Sequence, residues 1–427
     1  MLYRRTQLGP LLSAALVALF LAACGSEQGP GKSPAAGGNL SGDAGSGAQT
    51  SSAGSATAGA SASSSTATAG TGGGTGGKGG AAAGSGPSNS AGSPGEAGSG
   101  STEHGIPDGA TVLMFLVDGL QTATVNTGIA AGATNIKFLV DNGVTAQTVY
   151  TTSPAPRAQL PDGSLPWDNA TSGNVAAHTG CHLFESNQMD DIFLAANRAG
   201  IKSIFIGGDA NYAIFTTPSF EASGKLSDAE VASLAIAHLK SDKARLIRLH
   251  FQRIRDFWTG PASQTNASSS YIKHLLEVDK LLGDLRAALE QEGVWDSTYV
   301  ILSSDHGMGQ SASSDHPPST LSSWKNVMYF YGPGVKKGAT IPYAETPDAA
   351  VLAAHLLKIG PLQGHTDPEV TLTLKGATGT LLSNIFEGEP AEVSHPRYLE
   401  KYLNTGTYTG SGTEYADYRS GMLKLLQ

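Results

Sequence analysis

Two apolar runs, each followed closely by an acid, constrain this chain more than any other feature. Val112-Leu113-Met114-Phe115-Leu116-Val117 ends at Asp118, and Tyr299-Val300-Ile301-Leu302 leads through Ser303-Ser304 into Asp305-His306. A strand buried on both faces reads as such an unbroken run, and strands of that kind belong to parallel sheets. The carboxyl ends of those strands are where an open α/β sheet presents its ligand site. Asp118, Asp305 and His306 are hard or borderline ligands delivered there by two strand ends, and they read as part of a divalent-metal site. An Asp after a strand also serves as a turn residue or helix N-cap. Two such strand ends in one chain favour the metal.

Further strands are expected over Ser203–Ile206, Leu246–Phe251 and Val327–Tyr331. Tyr271, Leu275, Val278, Leu282, Leu285 and Leu289 recur at spacings of three and four and make one apolar helical stripe. Strand-helix alternation of this kind implies a mostly parallel central sheet with helices on both faces. A further helix is expected at Thr346-Pro347-Asp348, with Thr346 as N-cap and Pro347 in the first helical position. After about Gly360 the pattern weakens, and the tail reads as irregular packing with no second domain.

The chain begins with Arg4 and Arg5, then an apolar run from Leu11 to Leu21. Residues 1–23 read as a secretory signal, since the run is short for a membrane span and closes on small residues. Leu21-Ala22-Ala23-Cys24 resembles a bacterial lipobox, which implies lipidation of Cys24 and cleavage before it. Several acyl chains would anchor the chain firmly to a membrane. Gly25-Ser26 rather than Asp at the second place points to the bacterial cell envelope, at the outer membrane or cell surface.

Residues 24–104 are rich in Gly, Ser and Ala and carry no aromatic residue. Such a segment cannot bury enough apolar surface to offset its ordering entropy, and it reads as a disordered tether. Residues 105–427 suffice for one large α/β domain. Loss of the signal removes two arginines from a chain already at −9, so charge argues against nucleic-acid binding. Apart from Cys24 the only cysteine is Cys181, which leaves no intrachain disulfide within the domain.

From about Thr111 to Leu357 the chain resembles the alkaline phosphatase superfamily, and most of all its type I phosphodiesterase/nucleotide pyrophosphatase branch. The resemblance rests on Leu116-Val117-Asp118-Gly119, on Thr171-Ser172-Gly173-Asn174 ahead of Thr179-Gly180, and on the run from Val278 into Asp305-His306-Gly307-Met308-Gly309. His316 and the Tyr331–Gly338 segment follow. The resemblance implies an alkaline phosphatase-like three-layer sandwich that cleaves phosphodiesters or phosphomonoesters, with two metal ions, usually zinc, around a Thr or Ser nucleophile. One ion would be held by Asp118, Thr171, Asp305 and His306. A metal-bound hydroxyl loses its proton near neutral pH, so Thr171 could attack phosphorus. Asn174 stands where the family places an amide that contacts a phosphoryl oxygen, an oxyanion-hole role. Ser172 and Ser153 are alternative nucleophiles.

The second ion is where the chain departs from the family. His316 is present downstream of the Asp-His pair, but the middle segment, His250 to Pro261, lacks a histidine that the family supplies. Asp256 and His316 are the candidate ligands, with Asp315 or His250 as supplements. His250 falls within an expected strand and reads better as a buried structural histidine. Arg253 or Arg255 could instead supply fixed positive charge, or catalysis could be lost and the cleft kept for binding. Sulfate esters and phosphonates are alternative substrates within the superfamily. The other partners expected are the membrane, through Cys24, and a small-molecule or polymeric phosphate ester.

Overall fold

The structure is a computed structural model that describes residues 104–153, 172–183, 190–208, 220–221, 226–312, 316–360, 362–365, 374–404 and 414–426. Its centre is an eight-stranded sheet. The strands are β1 (Thr111–Val117), β2 (Val144–Tyr150), β3 (Ser203–Gly207), β4 (Phe220–Glu221), β5 (Leu246–Phe251), β6 (Thr298–Ser303), β7 (Met328–Tyr331) and β8 (Ala339–Glu345). They lie in the order β4-β3-β5-β1-β6-β7-β2-β8. All neighbouring pairs are parallel except β6·β7 and β2·β7, so β7 alone runs against the rest. The three strands expected from their apolar runs appear as β3, β5 and β7. The orientation of β7 was not legible, because an apolar run carries no direction.

Burial on both faces follows from the alternation of side chains along each strand. From β1, Val112 and Met114 enter one core layer while Leu113, Phe115 and Val117 enter the other. From β6, Tyr299 and Ile301 join the first and Val300 and Leu302 the second. Helices α1 (Thr122–Ala131), α2 (Thr134–Asn142), α5 (Asp228–Asp242) and α6 (Ser270–Gln291) cover the second layer. Helices α3 (Ser172–Thr179), α4 (Ile192–Arg198) and α7 (Asp348–Leu356) cover the first. The result is the helix–sheet–helix sandwich expected.

The α6 stripe behaves as its spacing requires: Tyr271, Leu275, Val278, Leu282, Leu285 and Leu289 are all buried. Full burial of each Leu contributes about 1.5–3 kcal/mol. Asp279 lies buried on the same helix because its carboxylate is used: Ile136 N donates to Oδ1 at 2.7 Å and Asn135 N to Oδ2 at 3.3 Å. It thereby satisfies the open N–H groups at the start of α2.

Helix α7 starts one residue later than expected, at Asp348, with Pro347 in the N-cap position. Asp348 is fully buried and bridges two segments, accepting from Glu345 N and Thr380 N at 2.7 Å each. The tail is also more regular than its sequence suggests. Helices α8 (Tyr398–Asn404) and α9 (Glu414–Leu426) contribute Leu399, Tyr402, Tyr418 and Met422 to a third apolar cluster with Leu183 and Trp324.

Two buried histidine–carboxylate pairs brace the end of β8 and the start of α7, the second of them from the tail. His182 Nε2 lies 2.6 Å from Glu345 Oε2, and His395 Nε2 lies 2.9 Å from Asp348 Oδ2. Burial works against a charged His395, but the hydrogen bond and charge of Asp348, with Glu345 nearby, outweigh it and raise its pKa. A raised histidine pKa stabilises the fold below the unfolded value, and that contribution is lost as pH rises through the folded one. The thermal midpoint of the wild type should therefore fall more steeply than that of His395→Gln as pH rises above the ordinary histidine value of about 6.5. Parallel calorimetric scans check this, and coincident slopes would contradict it.

Candidate metal centre

Strand order assembles the site. β1 lies between β5 and β6, pairing Leu116 with His250 on one side and with Ser303 on the other. The residues just past these pairs therefore meet at one end of the sheet. Asp118 N donates to Phe251 O at 2.9 Å, Gly119 N to Asp305 Oδ1 at 3.3 Å and Leu120 N to Ser304 Oγ at 2.8 Å. Gly119 has φ +67, and a Cβ there would run into the Met308 side chain, so the turn after Asp118 requires glycine.

The structure brings Asp118, His250 and Asp305 together, with one ligand atom of each lying within 4.8 Å of the others. His306 joins their carboxylates. Its Nε2 is 3.4 Å from Asp118 Oδ1 and 3.6 Å from Asp305 Oδ2, while His250 Nε2 is 3.7 Å from Asp118 Oδ2 and 3.9 Å from Asp305 Oδ2. Donors at 2.0–2.2 Å from a tetrahedral zinc stand about 3.3–3.6 Å apart. The four histidine–carboxylate separations match or slightly exceed that edge, so the residues present suit a divalent cation held by Asp118, His250 and Asp305, with His306 beside both carboxylates. All four side chains are at most 1 % exposed. Two carboxylates in such a place cost several kcal/mol each by desolvation unless positive charge answers them.

Protonation agrees with the fit. Burial pushes the His250 pKa down to about 3, helped by the positive charges of Arg248 and Arg255 and opposed by Asp305. A neutral imidazole keeps a lone pair for a cation. His306 Nδ1 donates to Gly307 O at 2.8 Å, which orients the ring and leaves Nε2 facing the carboxylates without a hydrogen bond. Burial alone would raise the pKa of Asp305, but His306, His250 and the Gly119 N–H hold it below the ordinary carboxylate range.

Behind Asp305 runs a buried polar chain. Asn174 Nδ2 donates to Asp305 Oδ2 at 2.7 Å, and Asn174 Oδ1 accepts from Arg248 Nη2 at 2.9 Å. Arg248 is fully buried, and its guanidinium lies 4.4 Å from the centre of the Phe205 ring. Asn174 thus spends one amide hydrogen on the Asp305 carboxylate and braces it. Gly173 is needed beside it, because a Cβ would collide with the Asp305 carbonyl and with Thr151 Oγ1.

Two expectations about the second cation need correction. Asp256 is not in the cluster: it sits in the 3-10 turn Arg253–Phe257, 57 % exposed, with Oδ2 3.4 Å from Arg253 Nη1. His250, read as a structural histidine, is in the cluster. The alternation of β5 explains it, since Arg248 and His250 share one face and point toward the helix that bears Asn174. A polar residue at every second place of an otherwise apolar buried strand, Leu246 to Phe251, was the available signal. His316 stands at the rim, its ring 4.0 Å from that of His306. Ser153 is buried just past β2, Thr171 lies outside the described residues, and so does the side chain of Ser172.

Residues 238–358 match a protein-family model, and it spans β5, α6, β6, His316 and α7. The family is type I phosphodiesterase / nucleotide pyrophosphatase. The match takes in His250, Asp305 and His306, and the resemblance read from the sequence agrees with it. No curated protein matches the chain. Among solved structures, murine ectonucleotide pyrophosphatase / phosphodiesterase 5 aligns with TM-score 0.44 at 13% identity, over 58% of this chain and 95% of that one. The phosphonate monoester hydrolase of Agrobacterium radiobacter aligns with TM-score 0.45 at 17% identity, over 66% and 78%. The lipoteichoic acid synthase LtaP of Listeria monocytogenes aligns with TM-score 0.40 at 11% identity, over 59% and 72%.

The geometry separates ligands from bystanders. Asp118→Asn and Asp305→Asn should abolish stoichiometric zinc or manganese binding in calorimetric titration, whereas Asp256→Asn should leave it within about twofold. Asn174→Ala should weaken it about 10–100-fold, as loss of a group that orients a ligand does.

Proposed function

We propose that this chain is a metal-dependent hydrolase of phosphate esters, either diesters or monoesters, held at the bacterial cell envelope by a lipid on Cys24. The observation that carries the reading is the buried set of Asp118, His250, Asp305 and His306 inside a sheet end whose β5–α7 segment matches a phosphodiesterase family. A bound divalent cation, zinc by family resemblance, would acidify a hydroxyl and stabilise charge on the phosphoryl oxygens. Thr171 is the proposed nucleophile. Its oxygen forms a bond to phosphorus as the bond from phosphorus to the leaving alcohol breaks, and the alcohol departs with a proton. Water then attacks the phospho-Thr171 ester, releasing phosphate or a phosphomonoester and restoring the hydroxyl. Asp305 enters these steps ionised, and Asn174 holds it in place through the 2.7 Å hydrogen bond.

The remainder of the chain serves placement. Residues 1–23 are a signal that is removed, residues 24–104 tether the lipidated Cys24, and residues 105–427 form the hydrolase domain. A tether of this composition lets the domain reach substrates in solution or on a polymer.

Purified full-length chain in detergent, supplied with zinc or manganese, should hydrolyse a bis-aryl phosphate or an aryl phosphate faster than an aryl sulfate. Thr171→Ala and Asp305→Ala should each lower kcat/KM by more than about 10³-fold. A folded, metal-loaded chain that turns over none of these esters would reduce the reading to a binding protein that has kept the cleft.

A further inference from the structure

A second concavity opens at the amino end of β6, the far end of that strand from Asp305. The six residues of β6, at about 3.3 Å each, set it about 20 Å from the metal centre. The carboxyl ends of α2 and α6, the turn Trp295–Ser297 and the last residue of β7 line a cavity of about 590 Å³. Sites for small molecules occupy roughly 300–1,000 Å³.

Three rings make one wall. Trp295 stacks on Tyr331 with centroids 5.2 Å apart, and Phe138 lies 5.1 Å from Tyr331. Arg286 is held among them. Its guanidinium carbon is 4.0 Å from the centre of the Phe138 ring and 5.2 Å from that of Trp295, and Nε donates to Glu290 Oε1 at 2.8 Å. No described residue accepts from its terminal nitrogens, and the side chain is 32 % exposed. A donor already ordered costs a ligand little further entropy to use. Asn142 Nδ2 donates to Phe138 O at 3.0 Å, which leaves its Oδ1 as an acceptor.

The lining carries balanced charge. Arg286 and Lys337 bring two positive groups, Glu290 and Asp296 two negative ones, and no other charged residue lines the cavity among the described residues. Charges nearby are paired with one another: Lys137 with Asp141 on α2, Lys280 with Asp284 on α6, and Lys243 with Glu292. An anionic or a cationic ligand would meet as many repelling groups as attracting ones. A neutral ligand dense in hydroxyls can use them all, accepting from Arg286 and Lys337 and donating to Asp296, Glu290 and Asn142. A peptide strand would need an open sheet edge, whereas β6 and β7 are each paired on both sides.

We propose that this cavity binds neutral pyranose units of a glycan, as a holding site separate from the metal centre. Sugar hydroxyls suit the charged and amide groups, and the C–H face of the ring suits the aromatic wall. Such binding needs no catalysis, so it is independent of the hydrolase reading.

The test titrates full-length chain, in a detergent without a sugar headgroup, with maltohexaose, cellohexaose and chitohexaose in a calorimeter. At least one should bind with Kd below about 1 mM. Arg286→Ala should weaken that binding at least about tenfold, and so should Asp296→Ala, an exposed substitution that leaves the packing intact. Asp305→Ala should leave it within about twofold, whatever becomes of hydrolysis. Binding of none of the three at about 10 mM would overturn the proposal. So would affinity within about twofold of wild type in both lining variants, which would move the glycan elsewhere on the surface. Tighter binding of a sulfated hexasaccharide, lost in Arg286→Ala, would overturn it too and make the cavity an anion site.

Discussion

Asp118 and Asp305 sit side by side almost out of reach of water, and the rest of the site answers their repulsion. Each arrives from a different strand, yet the sheet leaves neither any choice of neighbour, because β1 is hydrogen-bonded to β5 and β6 at once. Backbone N–H groups of Gly119 and His306 donate to Asp305 at 3.3 and 3.1 Å, which offsets part of its desolvation. Two imidazoles and a divalent cation would complete the compensation. A pair of acids so placed has no structural use that an apolar pair would not serve better, since replacing buried ions by well-packed apolar residues is often neutral or stabilising.

Compensation continues behind the ligands. The guanidinium of Arg248 cannot lose its proton, so its full burial demands acceptors. It finds them on Asn174, at both the side-chain and main-chain oxygens, 2.9 and 3.2 Å away. Asn174 passes the polarity on to Asp305 through its amide. Helix α3 is thus docked on the sheet by a polar contact as well as by Val175 and Ala176 in the apolar layer. Hydrogen-bond chains of this kind are costly when broken and specify one arrangement when whole.

Much of this was legible from residue order. The apolar runs before Asp118 and Asp305 gave the parallel sheet and its ligand end, because burial on both faces leaves no room for polar residues. The spacing of three and four from Tyr271 to Leu289 gave α6 and its buried face. What escaped was set by tertiary neighbours. His250 looked structural because strand position gives a face but not what waits opposite it. Asp256 looked like a ligand because sequence spacing cannot show that the segment winds into a 3-10 turn that presents Arg255 inward and Asp256 outward. The helices after Gly360 lack a strong stripe because they pack on one small cluster, which asks for few apolar positions.

The position of β1 between β5 and β6 also bears on how the chain must be made. Synthesis delivers β1 first, but the Gly119–Asp305 contact that completes its neighbourhood spans 186 residues. Until then a seven-residue strand, buried along its whole length in the finished fold, has both edges unpaired. Long-range parallel pairing of this kind is slow and exposes apolar edges while it waits. The architecture that places two acids beside each other thus leaves the new chain dependent on protection during the interval before β5 and β6 arrive.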